Sequence, residues 1–191
     1  MNALPVGLAK SMARDVLTGL AYLRTRSVVR ARFPKALVSR DVRITGDVDA
    51  IFLADGVAIF GPSSVVIEDG GGLNGSRLEI GEGTYIGEFA NIRTAGTPIT
   101  IGAYCLIAQN VTIVGSNHGV RAGSRIVDQP WAGAGVEIGD DVWLASNTIV
   151  VAGARIHTGA VIAANSVVRG EVPPNAIMAG SPARQVGERQ P

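Results

Sequence analysis

Aliphatic residues recur at every sixth position along much of this chain. The step is unbroken over 138–168, and it runs earlier over 80–92 and 101–113, two stretches separated by a three-residue slip near Gly96. The stepped residues are Ile80, Ile86, Ile92, Ile101, Ile107, Ile113, Ile138, Leu144, Val150, Ile156, Ile162 and Val168. A period of six fits neither the 3.6-residue turn of an α-helix nor the alternation of a simple strand. It predicts short strands, each followed by a corner.

Each hexad is expected to turn one large and one small side chain toward a shared interior. The residue four places after a stepped aliphatic is small or branched, as at Val142, Thr148 and Ala154. A glycine or alanine directly after the aliphatic, as at Gly81 and Ala145, lets the backbone turn with little steric cost. One hexad cannot bury its apolar side alone, so the coils must stack on one long core. The pattern predicts an all-β solenoid, a parallel β-helix, whose hand the period leaves open.

Residues 1–36 form a basic head with a helical period. Apolar side chains recur three or four positions apart, with lysine and arginine between them, at Leu8, Met12, Val16, Leu20 and Leu23. This spacing predicts an amphipathic helix from about Leu8 to Arg32, ending before Pro34. Such a helix can cap the open end of a solenoid, pack on a neighbouring subunit or lie as a peripheral contact on an anionic membrane surface.

The coil is expected to occupy residues 37–187. Its first turns, over 38–78, keep only a blurred step, at Val42, Val48 and Ala54. The glycines at 70–72 indicate an irregular corner within this part. At the far end Pro173 and Pro174 cannot donate to a strand ladder, so they are expected to end it.

The step stops after Ile113 and resumes 25 residues later at Ile138. Twenty-five residues are not a whole number of hexads, so the chain must leave the prism, in a loop predicted at about 114–136. A long loop on an otherwise regular scaffold is where functional residues are expected.

Composition and charge narrow the classes of protein. The 191 residues are typical of a single domain. The net charge of +1 is unevenly distributed: residues 1–43 hold nine Lys/Arg and two Asp, whereas the remaining residues hold eight Lys/Arg and fourteen Asp/Glu. No nucleic-acid-binding motif accompanies the basic head, and the coil is acidic, so no nucleic acid is expected. Cys105, the one cysteine, falls on a small inward position and is expected in the core. No apolar run fits a signal peptide or a membrane span, so a cytoplasmic protein is expected.

Three segments and the loop carry a resemblance to a known family. They read Ile138-Gly-Asp-Asp-Val-Trp-Leu-Ala-Ser146, Val161-Ile-Ala-Ala-Asn-Ser-Val-Val168 and Val172-Pro-Pro-Asn-Ala-Ile-Met-Ala-Gly-Ser-Pro-Ala-Arg184, preceded by Ser116-Asn-His118. Over about residues 80–187 the chain resembles the hexapeptide-repeat acyltransferases, above all the sugar O-acetyltransferases, the group around maltose and galactoside acetyltransferases and the polysaccharide-modifying enzymes. The resemblance implies a left-handed parallel β-helix, a homotrimer with active sites between subunits, and acetyl-CoA as co-substrate.

The resemblance also implies a catalytic base. A sugar hydroxyl is a poor nucleophile at neutral pH, and histidine, whose ordinary pKa is about 6.5, is suited to take its proton as it attacks a thioester. His118 on the loop matches the family's base, whereas His157, directly after Ile156, is expected at the surface. With Cys105 in the core, direct attack is favoured over an acyl-enzyme.

Coenzyme contacts follow from the same resemblance. A backbone N–H near Ser146 is the expected donor to the oxyanion. The pantetheine arm is expected along a groove between coils, where exposed backbone amides at Ala145, Ser146, Ala163 and Ala164 can bind it, and its nucleotide end is expected near basic side chains. The expected coenzyme residues are Ala145, Ser146, Ala163, Ala164, Arg184 and Arg169, the last at a point where relatives often have Lys one place later.

Acceptor contacts are expected around the loop. Asn91 and Arg93 match the region that lines the acceptor pocket in relatives. Asp128, Gln129 and Trp131 on the loop can hydrogen-bond and stack on a sugar. The predicted activity is acetyl transfer to a sugar hydroxyl, in the synthesis of cell-surface polysaccharide or lipopolysaccharide.

Three other interpretations stay open. Amine acceptors or serine could replace the sugar, since a base of this kind serves each. Some proteins with this coil resemble γ-class carbonic anhydrases, which hold zinc with three histidines. This chain has two and no metal is expected, although two histidines from each subunit could combine across an interface. A catalytically silent coil that serves as a scaffold or binding module is the third.

Trp143, one before inward Leu144, is expected to point outward and to line a subunit contact.

Overall fold

A computed structural model of the chain describes residues 6–190, with one α-helix followed by a coil of short strands. Helix α1 is Val6–Arg32. The strands in chain order are β1 (Leu37–Val38), β2 (Val42–Gly46), β3 (Ile51–Leu53), β4 (Ala58–Ile59), β5 (Ser63–Ile67), β6 (Arg77–Ile80), β7 (Tyr85–Ile86), β8 (Asn91–Arg93), β9 (Pro98–Ile101), β10 (Leu106–Ile107), β11 (Thr112–Val114), β12 (Asn117–His118), β13 (Trp131–Ala132), β14 (Val136–Ile138), β15 (Trp143–Leu144), β16 (Ile149–Val150), β17 (Arg155–Ile156), β18 (Val161–Ile162), β19 (Val167–Val168), β20 (Glu171–Val172), β21 (Ala176–Gly180) and β22 (Ala183–Glu188).

Three sheets make the faces of a triangular prism, and each turn of the coil contributes one strand to each. Sheet A has the order β1-β4-β7-β10-β15-β18-β21-β22, sheet B the order β2-β5-β8-β11-β16-β19, and sheet C the order β3-β6-β9-β14-β17-β20. Every neighbouring pair is parallel except β21 with β22. The predicted left-handed parallel β-helix is confirmed.

The six-residue step is the core of this prism. All twelve stepped aliphatics are buried, with relative exposures between 0 and 3%. The small positions four residues later are buried too, among them Cys105, Thr148 and Ala160 at 0%. Adjacent coils stack like on like, since Ile107 pairs in register with Ile86 and with Leu144. The sequence pattern therefore predicted the stepped inward residues of 80–168 correctly.

Two glycines that follow a stepped aliphatic, Gly81 and Gly102, are needed for close contact between coils. A Cβ placed on Gly81 would lie 2.5 Å from the amide nitrogen of Ala103, and one on Gly102 would lie 2.5 Å from the carbonyl carbon of Gly139. Real Cβ atoms are not found that close to backbone, so a side chain at either position would push the coils apart.

The step expected for the first coils is confirmed at Val42, which is 0% exposed, and is wrong at Val48 and Ala54. Val48 begins a 3-10 turn, Val48–Ala50, and Ala54 is exposed. The inward positions are instead Ile51, Leu53 and Val57, with exposures of 8% or less. The 3-10 turn takes up residues at a corner, which shifts the inward register relative to a uniform six-residue count.

The prolines at 173 and 174 do not end the coil. Strand β20 stops at Val172, but β21 then pairs in parallel with β18, and β22 folds back antiparallel on β21. Only an N–H that faces a neighbouring strand must donate, and both prolines lie in the turn between β20 and β21. Sheet A therefore continues through β21 and β22, beyond the two prolines.

The last turns of α1 pack on the open end of the coil. Val29 is 1% exposed, and the Tyr22 hydroxyl donates to the carbonyl oxygens of Arg40 and Val42. Arg32 donates to Ile51 O and pairs with Asp49, both at 3.3 Å. The predicted helix and its end before Pro34 are thus confirmed. Its earlier turns leave their apolar side chains exposed, and over residues 6–190 no helix is long and apolar enough to cross a membrane.

Candidate active site

Three departures from the hexad meet at one corner of the prism, between sheets B and C. They are the segments 68–76, 94–97 and 115–135, which join β5 to β6, β8 to β9 and β11 to β14. Backbone hydrogen bonds tie them together: Gly96 N–H donates to Glu68 O, and Gly115 N–H donates to Arg93 O, each at 2.9 Å. We call this stacked region the B–C corner. The sequence marked each irregularity separately, but only the fold brings them together.

The predicted loop leaves the prism as a short hairpin. Strand β11 ends at Val114 and β14 begins at Val136, so the loop covers residues 115–135, in agreement with the predicted range of about 114–136. Within it β12 pairs antiparallel with β13, so that His118 lies opposite Trp131. Gly119 N–H donates to Pro130 O at 3.0 Å, which extends the pairing by one residue. His118 is therefore held on a strand rather than on an irregular segment.

Two predicted acceptor residues brace the tip of this hairpin. The Gln129 amide accepts from Arg121 N–H at 2.7 Å and donates to the carbonyl oxygens of Arg121 and Ser124 at 2.9 and 3.1 Å. The Asp128 carboxylate pairs with the Arg125 guanidinium at 2.6 Å. Both side chains thus keep the loop compact, and contact with an acceptor stays a prediction for each.

The His118 ring is exposed and lies edge-on to Trp131. The two ring centroids are 5.6 Å apart with an interplanar angle of 75°. Among the hydrogen bonds of residues 6–190, none involves the His118 ring. An imidazole in this state offers a ring nitrogen to an incoming hydroxyl.

Trp131 is seated on two glycines of the 68–76 segment. Its backbone N–H donates to Gly71 O at 2.9 Å. A Cβ on Gly71 would lie 2.1 Å from the indole ring, and one on Gly70 would lie 2.7 Å from it. The sequence marked these glycines only as an irregular corner. The fold shows that they make room for the tryptophan that lies against His118.

Replacing Gly71 with valine is expected to unseat Trp131 and loosen the hairpin. We expect faster tryptic cleavage at Arg121 and a red-shifted indole emission, measured in a Trp143→Phe background that leaves one tryptophan. The matched control is Gly72→Val, at a glycine whose φ is also positive, 88° against 58° at Gly71, but where a Cβ meets nothing within 4 Å. Equal effects of the two substitutions would mean that backbone strain, not the seat of Trp131, is responsible.

A second edge, between sheets A and B, carries most of the expected coenzyme residues. Leu144, Ile162 and Met178 pair in register, so the residues two places after them stack one above another, roughly 4.8 Å apart. The stacked residues are Ser146, Ala164 and Gly180. We call this row the A–B edge. Because β22 folds back on β21, Arg184 lies opposite Ala179, beside the end of the row.

The sequence had suggested that four backbone amides on the A–B edge are free to bind a ligand, but two of them are not. Ala145 N–H donates to Ile162 O at 2.9 Å, and Ala163 N–H donates to Met178 O at 2.8 Å, so these two amides hold the coils together. For Ser146 and Ala164, the described residues provide no acceptor for the N–H. The expectation of four available amides is thus corrected to two, which alternate with the two that are used.

Arg169 lies away from this edge. It follows β19 in sheet B and so belongs to the B–C corner, two coils beyond the hairpin. Arg184 is exposed, and its guanidinium donates to Ala183 O at 3.0 Å. Of the two arginines, Arg184 lies beside Ala179 at the end of the A–B edge, whereas Arg169 lies at the B–C corner.

Asn91 and Arg93 lie on β8, directly beneath the base of the hairpin. Arg93 pairs with Val114, the last residue before the hairpin, and its side chain is exposed. Asn91 pairs with Thr112 on the outer face of sheet B. The fold therefore brings both predicted acceptor residues to the same corner as His118.

Cys105 and His157 are placed as the sequence predicted. Cys105 is 0% exposed, and burial raises the pKa of its thiol, so it is shielded and protonated at neutral pH. The His157 ring is hydrogen-bonded to Glu171 at 2.9 Å, at the corner between sheets C and A. Within the part of the chain that the structure describes, no three His, Cys, Asp or Glu side chains lie together as a metal site would require.

The outer face of sheet A is apolar from β1 to β21. Its outward residues stack in register as Leu37, Ala58, Tyr85, Leu106, Trp143, Val161 and Ile177. Leu106 is 56% and Trp143 48% exposed, which confirms the outward direction of Trp143. Sheet C, by contrast, presents charged side chains, among them Glu137 and Arg155. We call the sheet A row the apolar column; large exposed rows of this kind mark interaction surfaces.

Comparison with known proteins finds a match to the hexapeptide transferases within the coil. Residues 135–170 match the family model described as bacterial transferase hexapeptide (six repeats). The Escherichia coli (strain K12) protein WbbJ, named for O-acetyl transfer in lipopolysaccharide biosynthesis, is 40% identical over 94 residues, 45% of this chain and 48% of that protein. Galactoside O-acetyltransferase of the same strain is 34% identical over 114 residues, 60% of this chain and 55% of that protein. This chain spans about half the length of these curated relatives.

A solved structure extends the likeness to the fold. The hexapeptide-repeat containing acetyltransferase VCA0836 of Vibrio cholerae O1 biovar eltor, complexed with acetyl coenzyme A, is 29% identical, with a TM-score of 0.56. The alignment covers 69% of this chain and 71% of that one. The resemblance drawn from the motifs is confirmed by these matches.

Proposed function

We propose that this chain, whose coil carries the repeats of the hexapeptide transferases, moves an acetyl group from acetyl-CoA to a hydroxyl of a sugar or saccharide. The observation that carries the proposal is His118, an exposed imidazole on a braced hairpin with no competing hydrogen-bond partner among residues 6–190. The relatives named for O-acetyl transfer support the reaction class.

The A–B edge fits a coenzyme A molecule. The pantetheine arm is long and narrow and carries amide groups, and the free N–H groups of Ser146 and Ala164 lie along the edge one coil apart. The small side chains there allow close approach of a ligand to the backbone. Arg184, exposed at the end of the edge, can pair with a phosphate of the nucleotide end. The coenzyme-bound relative supports the same co-substrate here.

The two parts of the site point to an assembly of several copies. His118 lies at the B–C corner and Ser146 at the A–B edge, so the full width of sheet B separates them in one chain. Packing of the apolar column against a neighbouring copy would bury exposed aliphatic and aromatic surface, and a site completed by two copies requires one copy's hairpin to reach the next copy's A–B edge. We infer a homotrimer with three sites between subunits.

In the proposed reaction His118 acts as general base. Its ring nitrogen accepts the proton of the acceptor hydroxyl as that oxygen attacks the thioester carbonyl carbon. The Ser146 N–H donates to the carbonyl oxygen as negative charge develops there. When the carbon–sulfur bond breaks, protonated His118 returns its proton to the departing thiolate. The oxygen–carbon bond forms, the carbon–sulfur bond breaks, and the base is regenerated.

The acceptor is proposed to lie at the B–C corner beside the hairpin. Asn91 and Arg93 beneath the hairpin, with Asp128, Gln129 and Trp131 within it, supply hydrogen-bonding groups and one aromatic face. Such a mixture suits a saccharide, which presents hydroxyls at its rim and apolar C–H groups on its faces.

Calorimetry and a thiol-release assay test the proposal. We expect saturable binding of acetyl-CoA and release of coenzyme A that requires an acceptor, measured over sugars, nucleotide sugars, amino-sugar nucleotides and serine. Transfer to an amine or to serine alone would replace the sugar hydroxyl as acceptor. Binding without transfer to any compound would favour a binding module, and the absence of binding would reject the transferase altogether.

A further inference from the structure

Helix α1 carries an apolar face that the coil does not cover. Its five apolar residues, spaced three or four apart, have relative exposures of 45–60%. They are Leu8, Met12, Val16, Leu20 and Leu23. Helical spacing places them on one side, whereas Tyr22 and Val29, the residues that contact the coil, lie on another. Docking of α1 on its own coil therefore leaves this apolar face free.

The same face continues into a basic groove. Three and seven residues after Leu23, Arg26 and Arg30 extend the face toward the coil. They line a groove of about 560 Å³ together with Lys35 and Arg40, where the helix meets the first coil. One surface thus changes, over a few turns, from apolar to cationic.

The charge of α1 favours an anionic partner. Its 27 residues hold six Lys/Arg against the single Asp15. Pairing this helix with its own copy would bring like charges together. A second copy's coil offers its apolar column on sheet A but its carboxylates, such as Glu137 and Glu171, on sheet C. An anionic bilayer presents acyl chains and phosphates side by side, in the order that this face requires.

We propose that α1 binds the surface of an anionic lipid bilayer. The helix lies in the interface, its apolar face turned toward the acyl chains and Arg30 and Arg40 toward the headgroup phosphates. The coil, attached at the end of the helix, is then held close to the bilayer with its three sheets in water. This binding is independent of the acetyl-transfer reaction.

Co-sedimentation with vesicles tests the proposal on the intact chain. We expect binding to vesicles of equal parts phosphatidylglycerol and phosphatidylcholine, weakened by added salt, and little binding to phosphatidylcholine alone. Val16→Gln with Leu20→Gln is expected to lower the partition coefficient by at least about tenfold, since it removes apolar surface from the interface. Arg30→Gln with Arg40→Gln is expected to lower binding to the anionic vesicles toward the phosphatidylcholine level.

The matched control is Ser11→Gln with Thr18→Gln, two exposed positions outside the apolar face, on the side of α1 that carries Val29, which should bind like the unaltered chain. Sedimentation velocity without lipid tests the alternative that a second copy of the chain covers the apolar face of α1. If the Val16/Leu20 pair changes the oligomeric mass, a second copy covers this face and the proposal is wrong. No binding of the unaltered chain to anionic vesicles at low salt would also overturn it.

Discussion

Replacing His118 with alanine is expected to lower kcat for acetyl transfer by about a hundredfold or more while leaving the Kd for acetyl-CoA nearly unchanged. The base is needed only as the hydroxyl attacks, and the proposed coenzyme contacts lie on the A–B edge, away from the hairpin. Stopped-flow or steady-state thiol release measures the first quantity and calorimetry the second.

Two further variants separate proton transfer from packing. His118→Phe keeps an aromatic edge against Trp131 but has no proton acceptor, so it should be as slow as the alanine variant. His157→Ala removes the other histidine, which is bonded to Glu171 at a different corner, and should retain full turnover. Near-normal turnover of either His118 variant would exclude His118 as the base.

The interior of this protein could be predicted from its sequence because one period governs it. Each coil needs a large inward side chain followed four residues later by a small one. Because the coils stack in register, the same requirement applies at the equivalent positions of every coil. Ile107, for example, meets only Ile86 and Leu144 in its column. The predicted six-residue step was wrong at Val48, where a 3-10 turn adds residues to a corner and the amino-acid composition of the segment gives no sign of it.

The arrangement of the candidate site depended on contacts that no local pattern encodes. Gly71 and Trp131 lie 60 positions apart in sequence, yet the indole ring occupies the space that a Cβ on Gly71 would take. Which amides stay free on the A–B edge depends on coil pairing: Ala145 N–H meets Ile162 O, whereas the next amide, at Ser146, meets no acceptor among the described residues. The motif could therefore identify the segment near Ser146 but not which backbone N–H group in it is free to bind a ligand.

Replacing Leu106 with lysine is expected to break the proposed trimer and abolish turnover. Leu106 lies in the middle of the apolar column, between Tyr85 and Trp143, and a buried unpaired ammonium there would oppose association strongly. Sedimentation velocity should give the mass of one chain instead of three. Thr100→Lys, an exposed position on sheet C between Glu79 and Glu137, is the matched control and should stay trimeric and active.

Mixed trimers show whether the two halves of each site come from different copies. His118→Ala lacks the base, and Ala164→Trp should block the A–B edge, so each variant alone is expected to be inactive. Trimers formed from equal amounts of both would then contain sites that combine an intact hairpin from one copy with an intact edge from the next. Random assembly in a closed ring makes that combination in about a quarter of the sites. Recovery near that fraction of normal turnover supports the shared site, and no recovery would mean that His118 serves the edge of its own chain.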